Sequence, residues 1–530
     1  MKATPNTKAY IVGSGIAGLA AAVYLIRDAK LAPQNVIFFE ELKLLGGSLD
    51  STGNASQGYF MRGGRMFEEH YVCTYDLLSG IPSLDDPNIS ARDDIFYFTW
   101  NNSWRANARL MDGDGRILDS SKMGFNLLDR FALLKLLALS SERSLGEKRI
   151  DEVFPKHFFK SNFWLMWCTM FSFQPWHSAV EMRRYLLRFI QLFPQIADLT
   201  CVYHTRYNQY HSMVVPLQNW LNLKGVTRQS ERRVFDIVLQ ESENGFSATS
   251  LKTARKDGSE EREIALGEND LVIFTNGSMT DASQNGDNTT PAPLVPKPLG
   301  GSWALWKTLA AKRAGFGNPE RFIRDVNGSK WPSFTATVRT PLLRKLIGDM
   351  THMSWGREGL ITFKDSSWFM TIDPHARPFY PGQPGDVDIF WGYGLNPDKE
   401  GDYVKKRMSD CTGKELLRET YLQLHFQDHL DELMAHSTAI PCMMPYITSQ
   451  FMPRVKGDRP DIVPAGSQNL ALVGQFVEAP DDVVFTVEYS VRTAYMAVKA
   501  LLDLDVTVPP LYKGQRDIGV LLAAARESMT

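Results

Sequence analysis

The chain has 530 residues, of which 44 % are apolar and 22 % charged, and its formal net charge is −2. These proportions exclude wholesale disorder, and the missing basic excess argues against nucleic acid as a partner. The five cysteines form no CxxC pair, which predicts free thiols in a reducing compartment rather than a disulfide framework or a zinc site. The aromatic content of 11 % predicts either an ordinary core or the lining of a large apolar cavity.

No stretch has the pattern of a targeting or membrane-spanning segment. The first strand is expected from about residue 8, without the charged, apolar and cleavage regions of a signal peptide. The apolar run FALLKLLALS (131–140) is shorter than the roughly 20 residues that a bilayer requires. The sequence therefore predicts a cytoplasmic protein.

The first thirty residues have the pattern of a dinucleotide-binding turn. The run KAYIV (8–12) predicts a strand, and the following GSGIAGLAAAVYLI predicts a turn and a helix. Gly13 permits the tight turn, Gly15 lets the backbone approach a pyrophosphate, and Gly18 lets helix and strand pack closely. The next apolar run, NVIFFE, ends in Glu40, at the spacing of a carboxylate that holds ribose hydroxyls. NAD and FAD both satisfy this pattern.

The residues after Glu40 favour FAD. An acid followed by five residues and then Gly46–Gly47 resembles FAD-containing enzymes of the glutathione-reductase and amine-oxidase type. We therefore predict an α/β fold with a Rossmann-like FAD-binding domain of that type. Val234, in a run that alternates as a strand (224–239), stands where such enzymes contact adenine.

Two later segments extend the same domain. The run DLVIFTNGSMT (270–280) predicts a buried strand followed by a turn at Asn276, and NLALVGQFVE (469–478) predicts another parallel strand. A helix follows the last strand and can direct the positive end of its dipole at the flavin. Many FAD enzymes carry an acid after the glycine that ends this strand, whereas this chain has Gln475. The FAD-binding domain is therefore expected to be discontinuous.

The segment 126–195 is expected to be a long helical region that is buried or lines a cavity. Its later half, NFWLMWCTMFSFQPWHSAVEMRRYLLRFIQLF, carries Trp, Phe, Met and Leu on more than one face. A second polar and aromatic cluster, TRYNQYHSMVVPL (205–217), has the composition of a site that orients a ligand in an apolar pocket.

Long runs along the whole chain resemble the oleate hydratases, the family of fatty-acid double-bond hydratases also called myosin-cross-reactive antigens. The matching runs are GSGIAGLA, FEELKLLGGSLD, RGGRMFEEH (62–70), FQPWHSAVEMRRYLLRF (173–189), YNQYHSMVVPL (207–217), TNGSMTD (275–281), WGYGLNPDKEG (391–401), MPYITSQFMPR (444–454) and FVEAPDDVVFTVEYSVR (476–492). The resemblance implies that water adds to the cis-9 double bond of an oleate-like free fatty acid to give a 10-hydroxy acid, with FAD bound and no net redox change.

The resemblance also assigns roles to single residues. Tyr185, in EMRRYLLRF, matches the tyrosine that protonates the alkene, and a phenol with a pKa of about 10 stays protonated at neutral pH. Gln209 matches a residue near the substrate. Thr371, with Asp373 and His375 close by, resembles the group that binds the substrate carboxylate. Because a carboxylate at that place would repel the substrate, His375 or the neighbouring Arg377 is the better candidate for the contact.

Met66 is the main departure from the family pattern. In relatives a glutamate that activates water follows the RGGR run, and a thioether cannot accept a proton at neutral pH. Either Glu68 or Glu69 replaces that base, or backbone and flavin orient the water without a strong base; we favour the second reading, because a developing cation needs little base assistance.

The candidate residues and domains are then as follows. The catalytic candidates are Tyr185, Gln209 and Met66, and the substrate-binding candidates are Thr371, Asp373 and His375. The cofactor-binding candidates are Gly13, Gly15, Ile16, Ala17, Gly18, Glu40, Gly47, Ser48, Arg62, Gly63, Gly64, Arg65, Val234, Asn276, Gln475 and Thr486. No metal ligands are expected. The predicted domains are 1–125 with 213–290 and 430–505 for FAD, 126–212 for a helical substrate tunnel, 291–429 for substrate binding and 506–530 for a helical tail.

Partners and alternatives complete the prediction. Relatives carry an N-terminal extension that helps dimerisation, whereas about seven residues precede the first strand here, which predicts a monomer. The amphipathic tail predicts either a helix docked on its own domain or a weak peripheral membrane contact. Two alternatives to a hydratase remain: a flavin oxidoreductase of the amine-oxidase or desaturase kind, and a non-catalytic fatty-acid or flavin binding protein.

Overall fold

The computed structural model describes residues 3–530 and alternates helices with strands along most of the chain. The strands β1 to β16 are Ala9–Val12, Val36–Glu40, Ser51–Asn54, Gly58–Met61, Thr227–Ser230, Arg232–Ser242, Gly245–Arg255, Arg262–Ala265, Leu271–Thr275, Gln284–Asn285, Trp331–Val338, Ile361–Thr362, Met370–Pro374, Asp388–Gly394, Ser437–Met444 and Leu470–Val473. The helices α1 to α16 are Ile16–Arg27, Val72–Ser79, Ala91–Asn101, Leu127–Leu134, Glu142–Leu145, Asn162–Phe171, Ala179–Arg188, Val215–Lys224, Gly301–Lys312, Glu320–Ile323, Val326–Ser329, Leu342–Thr351, Gly413–Gln423, Leu430–Ala435, Val487–Leu502 and Ile518–Glu527.

A five-stranded parallel sheet of order β16-β9-β1-β2-β5 forms the centre of the cofactor side. All four residues of β1 are buried, which explains why its sequence is a continuous apolar run and does not alternate between apolar and polar residues. Helices α1 and α15 pack together on this sheet, where the rings of Tyr24 and Tyr495 stack at 4.1 Å. The parallel sheet with its helices confirms the prediction of a Rossmann-like core.

A six-stranded antiparallel sheet of order β10-β15-β11-β14-β13-β12 forms the second body of the protein. Helices α12 and α13 bury its outer face in a separate apolar cluster. The ribbon β3-β4 packs across β11, and the backbone N–H of Met61 donates to Thr335 Oγ1 at 3.1 Å. The ribbon therefore places the loop that follows Met61 at the junction of the two sheets.

Several elements differ from the sequence-based expectation. The expected long helical region 126–195 consists of short pieces, α4 to α7, joined by turns and by a π-helical stretch at Lys135–Leu139. The last core helix begins only at Val487, because the hydroxyl of Thr486 caps it by accepting from the N–H of Tyr489 at 3.1 Å. The residues 479–485 before it form a turn.

The sheets also cut across the expected domain boundaries, which stay a prediction. Strands β10 and β15 lie in segments that the sequence assigns to the FAD-binding domain, and they pair within the antiparallel sheet. Helix α9, which lies beyond the expected boundary at 291, packs against β6 on the cofactor side. Within residues 3–530, no helix is both long and apolar enough to cross a membrane.

Candidate functional site

The glycine-rich turn after β1 is built for close backbone approach. Gly13 has φ +94°, a conformation that side chains rarely adopt, and α1 begins directly after Gly15. A Cβ on Gly18 would lie only 2.2 Å from the Gly13 carbonyl oxygen, so this glycine lets the helix pack against the turn. The free N–H groups of the first turn of α1 therefore point into the space beyond the sheet edge.

That space is a cavity of about 330 Å³ along the carboxyl ends of the parallel strands. It extends from the end of β2 past β1 and β9 to the end of β16, which is where open α/β sheets bind their ligands. Ten of the predicted cofactor-binding residues line it: Gly13, Gly15, Ile16, Ala17, Glu40, Gly47, Ser48, Arg62, Val234 and Gln475.

The residues of this cavity fit a dinucleotide such as FAD. Glu40 ends β2 beside the glycine turn and accepts hydrogen bonds from the Ser14 N–H at 2.9 Å and its hydroxyl at 2.6 Å. Its carboxylate is thereby fixed at the place where a ribose would meet it. The cavity thus offers backbone donors, a carboxylate and the apolar side chain of Val234, which are groups that a pyrophosphate, a ribose and an adenine need.

The remaining six cofactor-binding candidates lie elsewhere. Gly18 packs behind the turn, and Asn276 is buried with its amide donating to the Phe476 carbonyl at 2.9 Å. Thr486 lines the catalytic pocket described below, as do Gly64 and Arg65, and Gly63 is buried beside Trp391. The loop 62–65 therefore belongs to both cavities, since Arg62 lines one and Arg65 the other.

Sequence reasoning missed one wall of the cofactor cavity. The N-terminus of α9, at Gly300–Ser302, lines it, and the Gly301 N–H donates to Glu41 Oε2 at 2.6 Å. Glu41 also pairs with Arg233 at 2.8 Å. The glycine pair at 300–301, which follows a proline-rich connector, is the sequence feature that could have indicated this wall of the cavity.

A second cavity of about 80 Å³, here called the catalytic pocket, lies on the other side of the loop 62–65. It is lined by Gly64, Arg65, Met66, Phe67, Glu68, Tyr71, Thr169, Met170, Phe171, Ser172, Tyr185, Phe189, Leu192, Cys201, Val202, Trp331, Trp391, Tyr393, Phe485, Thr486 and Val487. Most of these side chains are apolar or aromatic, which suits the chain of a lipid better than a polar metabolite.

Tyr185 sits in a box of aromatic rings at the side of this pocket. The rings of Phe171, Phe173 and Phe189 lie within 5.5 Å of its own, and Phe451 lies at 5.6 Å. Its hydroxyl donates to the Val484 carbonyl at 2.5 Å. Burial, and then the nearby Tyr71 and the acidic groups, raise the pKa of Tyr185 well above its ordinary value. The phenol is therefore neutral and carries its proton at physiological pH.

Met66 and Glu68 line the catalytic pocket, whereas Glu69 does not. Glu68 is buried between Arg188, at 2.9 Å, and His70, at 3.0 Å. Burial by itself would raise the pKa of Glu68, but the His70 contacts and Arg188 outweigh it and lower the pKa. Glu69 is exposed. Of the two glutamates named as possible replacements for the base, Glu68 is therefore held in a buried ion pair and Glu69 lies at the surface.

A small polar recess of about 20 Å³ adjoins the pocket and brings together four of the predicted catalytic and substrate-binding residues, including Met66. Gln209, Asp373 and His375 line it, together with Met66 and His204. The Gln209 amide donates to the Arg65 carbonyl at 3.1 Å. Nδ1 of His375 lies 3.7 Å from Oδ2 of Asp373.

The recess holds polar atoms that no described protein atom satisfies. Asp373 Oδ1 and His375 Nε2 are buried without a hydrogen-bond partner within residues 3–530. Burial raises the pKa of Asp373 to about 7 and, with a smaller effect of His204, lowers the pKa of His375 to about 3. The recess therefore presents a carboxyl that is about half protonated at pH 7 and a neutral imidazole, which suits a polar head group.

Two further candidates for carboxylate binding point elsewhere. Thr371 is fully buried, and its hydroxyl bonds that of Thr362 at 3.0 Å rather than lining the recess. Arg377 lies 3.3 Å from Asp388, so its charge is already paired. Arg65 brings a positive charge to the lining of the recess. Burial lowers the pKa of Arg65 only to about 10, so its guanidinium stays charged at neutral pH.

Comparison with known proteins identifies the sequence relatives of the chain. The MCRA family model matches residues 6–499. An oleate hydratase of Streptococcus pyogenes serotype M49 (strain NZ131) is 40 % identical over 526 residues, which cover 97 % of this chain and 88 % of the relative. A linoleate hydratase of Lactiplantibacillus plantarum is 34 % identical over 533 residues, 93 % of each chain.

A solved structure gives the fold relationship. Cyclohexylamine oxidase from Brevibacterium oxydans IH-35A superposes with a TM-score of 0.52 at 12 % identity, covering 94 % of this chain and 99 % of that one. At this identity the match concerns the fold alone, and it agrees with the predicted amine-oxidase type of α/β architecture.

Proposed function

This chain belongs to the MCRA family, and we propose that it is a hydratase, a hydro-lyase that adds water to the cis-9 double bond of oleate-like free fatty acids to give 10-hydroxy acids. The supporting relatives are the oleate and linoleate hydratases, which match nearly the whole chain. The observation that carries the proposal is the buried, neutral phenol of Tyr185 at an apolar pocket that adjoins a polar recess.

Tyr185 would act as the general acid. Its proton passes from Oη to one alkene carbon, the other carbon takes the oxygen of water, and the second proton of that water restores the phenol directly or through solvent. Atoms balance as alkene plus water to alcohol. The Val484 carbonyl holds the proton donor in place before the substrate arrives, and the hydroxyl must leave that carbonyl to reach an alkene.

The attacking water would be oriented without a strong base. Met66 cannot take a proton, and Glu68 is engaged by Arg188 and His70. Protonation of the alkene leaves a cationic carbon that water captures readily, so alignment matters more than basicity. The loop 64–66, which Gln209 holds through the Arg65 carbonyl, supplies the backbone groups for that alignment.

The polar recess would receive the substrate carboxylate. The protonated Asp373 carboxyl and the neutral His375 can each donate one hydrogen bond to a carboxylate, and Arg65 supplies the positive charge. This assignment keeps Asp373 and His375 as binding residues, whereas Thr371 does not line the recess.

FAD is the cofactor that we propose for the larger cavity. Gly13, Gly15 and the start of α1 would hold its pyrophosphate, Glu40 its ribose, Val234 its adenine and Gln475 the flavin end. When bound, FAD would supply a polar planar surface beside the loop 62–65, and because hydration transfers no electrons it would not be consumed. The backbone donors and the fixed Glu40 carboxylate support this assignment.

The test is incubation of the purified protein with a panel of free unsaturated fatty acids, with and without FAD and a reductant. A hydratase gives a product heavier by one water, with no electron acceptor and no peroxide. Turnover that depends on an acceptor, or peroxide formation, would instead identify a flavin oxidoreductase. Unchanged oleate under every condition would contradict the proposed substrate.

The tail provides a candidate surface for a weak peripheral membrane contact. Helix α16 exposes Ile518 and Leu522, and the neighbouring α4 exposes Leu127, Leu128 and Phe131. The chain end that follows α16 lies against α4, because Arg130 donates to the Met529 carbonyl at 3.1 Å. Exposed apolar side chains of this kind mark interaction sites. Replacement of Leu522 by Asp should reduce co-sedimentation with anionic vesicles, whereas unchanged binding would contradict the contact.

Location and assembly are the last parts of the proposal. The five cysteines are buried free thiols, which supports a reducing, cytoplasmic location. A monomer stays the prediction for the oligomeric state, and light scattering of the cofactor-loaded protein measures it.

A further inference from the structure

Gln475 stands at the end of β16, where it lines the cofactor cavity and also holds the turn that precedes α15. Its amide nitrogen donates to the Thr486 carbonyl and to Ser490 Oγ, both at 2.8 Å. Its amide oxygen accepts from the backbone N–H of Phe485. One side chain therefore ties the backbone on both sides of the Phe485–Thr486 peptide to the helix.

The turn that Gln475 holds has a strained backbone. Phe485 has φ +71°, in the left-handed region that a bulky L residue enters only when its surroundings impose it. The hydrogen bonds of Gln475 to the two neighbouring peptide groups are such a constraint. The ring of Phe485 adds a second one by packing edge-on against Phe451 at 5.4 Å.

This turn places the hydrogen-bond acceptor of the proton donor. The carbonyl of Val484, the residue before Phe485, accepts the Tyr185 hydroxyl at 2.5 Å. Both residues are fully buried, so the hydroxyl depends on that carbonyl for its partner. If Phe485 relaxed to negative φ, the Val484 carbonyl would turn and Tyr185 would lose its anchor.

We propose that Gln475 is a positioning residue for Tyr185, acting through the left-handed turn at Phe485, and that it links the occupant of the cofactor cavity to the orientation of the proton donor. The link follows from the position of Gln475 in the cavity lining, since an occupant that contacts its amide acts on the same bonds that hold the turn. The inference rests on the proposed function for the role of Tyr185, and it gives a flavin that transfers no electrons a structural task.

The test records an NMR signal of Tyr185 itself, so it does not depend on turnover. The 18 tyrosines are replaced biosynthetically by 3-fluorotyrosine, and the ¹⁹F signal of Tyr185 is assigned by its loss in Tyr185→Phe. In the cofactor-free protein, Gln475→Leu should shift or split that signal. The matched control is Gln468→Leu, the same change at an exposed site just before β16, and it should leave the signal in place.

A second measurement tests the link to the cofactor cavity. Titration with FAD should shift the Tyr185 signal in the wild-type protein and shift it less in Gln475→Leu. If the leucine variant fails to fold, Gln475→Glu replaces it: this variant keeps an acceptor for the Phe485 N–H but loses both donated bonds, so we expect an intermediate shift. A Tyr185 signal that stays unmoved in the folded variant and on FAD titration overturns the inference.

The kinetic expectation separates positioning from binding. Misplacement of the donor should lower kcat for oleate by about 10- to 100-fold while KM changes less than about 2-fold. A rise in KM of the same size with unchanged kcat would overturn the positioning role. If the wild-type protein does not hydrate oleate but the ¹⁹F signal responds to Gln475→Leu, the proposed function fails and the positioning of Tyr185 stands.

Discussion

The cofactor cavity and the catalytic pocket meet at the loop 62–65, but they are built in different ways. The cofactor cavity follows the carboxyl edge of one parallel sheet, and its contacts come from backbone turns at strand ends. The catalytic pocket is assembled from side chains of distant segments, with residues near 66, 170, 185, 391 and 485 in its lining. A site made by a repeated backbone arrangement can be inferred from spacing, whereas a site made by tertiary packing cannot.

The largest expected effect concerns the catalytic pocket. Tyr185→Phe removes the proton but keeps the ring in its aromatic box, so kcat for oleate should fall by about 10²- to 10⁴-fold, the range for loss of a general acid. The variant should still bind FAD, because Tyr185 does not line the cofactor cavity. Mass-spectrometric product assays and flavin fluorescence titrations measure the two quantities.

Tyr71→Phe is the matched control for that experiment. Tyr71 is another buried phenol in the lining of the same pocket. Its hydroxyl has no role in the proposed reaction, so its removal should cost far less activity. Comparable losses for both variants would show that general packing of the pocket, rather than the Tyr185 proton, limits the rate.

The second prediction concerns the cofactor cavity. Glu40→Ala removes the carboxylate that holds the Ser14 N–H and hydroxyl and that would hold the ribose. Loss of charge-assisted hydrogen bonds worth about 1.5–3 kcal/mol should weaken FAD binding by about 10- to 100-fold. Glu69→Gln, at an exposed acid, is the control. If wild type and Glu40→Ala bind FAD with equal affinity, the assignment of Glu40 to the ribose is wrong.

The difference between a site built from backbone turns and a site built from packed side chains explains how much of each region the sequence predicted. The sequence predicted the glycine turn and Glu40 because each is fixed by its distance from a strand end, whereas Val234 was predicted from a likeness to FAD-containing enzymes. It missed the N-terminus of α9 as a cavity wall, since nothing local records that α9 packs against β6.

The catalytic side was predicted by resemblance rather than by spacing. Tyr185, Gln209, Asp373 and His375 do lie in adjoining cavities, but their exposure and charge depend on packing that no local pattern encodes. The buried pair of Glu68 with Arg188 joins residues 120 positions apart, so no local pattern indicates that Glu68 is buried and paired.

The third prediction uses the pKa of Asp373 to test the polar recess. Below pH 7 the protonated carboxyl donates to the substrate carboxylate, and above pH 7 the ionised form repels it. KM for oleate should therefore rise by about tenfold between pH 6 and pH 8. Because the pKa of His375 is about 3, its charge does not change in this range.

Asp373→Asn should flatten that pH profile, and a KM that stays constant or falls with pH in the wild type would contradict the assignment. A stability measurement gives an independent check of the sign. Folding raises the pKa of Asp373 from about 3.9 to about 7, so the stability it contributes is present below about pH 4 and is lost as pH rises through 7. The asparagine variant should lose this part of the pH dependence of unfolding.

The smallest effect is expected at Met66. Met66→Glu introduces the carboxylate that the sequence resemblance leads us to expect here, and this group would share its surroundings with Asp373 and Glu68 and lie next to Arg65. If alignment by the loop 64–66 governs capture of the cationic carbon, added basicity should change kcat by less than about 10-fold. Met66→Gln is the matched control, because it is polar and similar in size but cannot act as a base. An increase of about 100-fold or more for glutamate alone would mean that water activation limits the rate, and that this pocket lacks a catalytic group rather than replacing it by geometry.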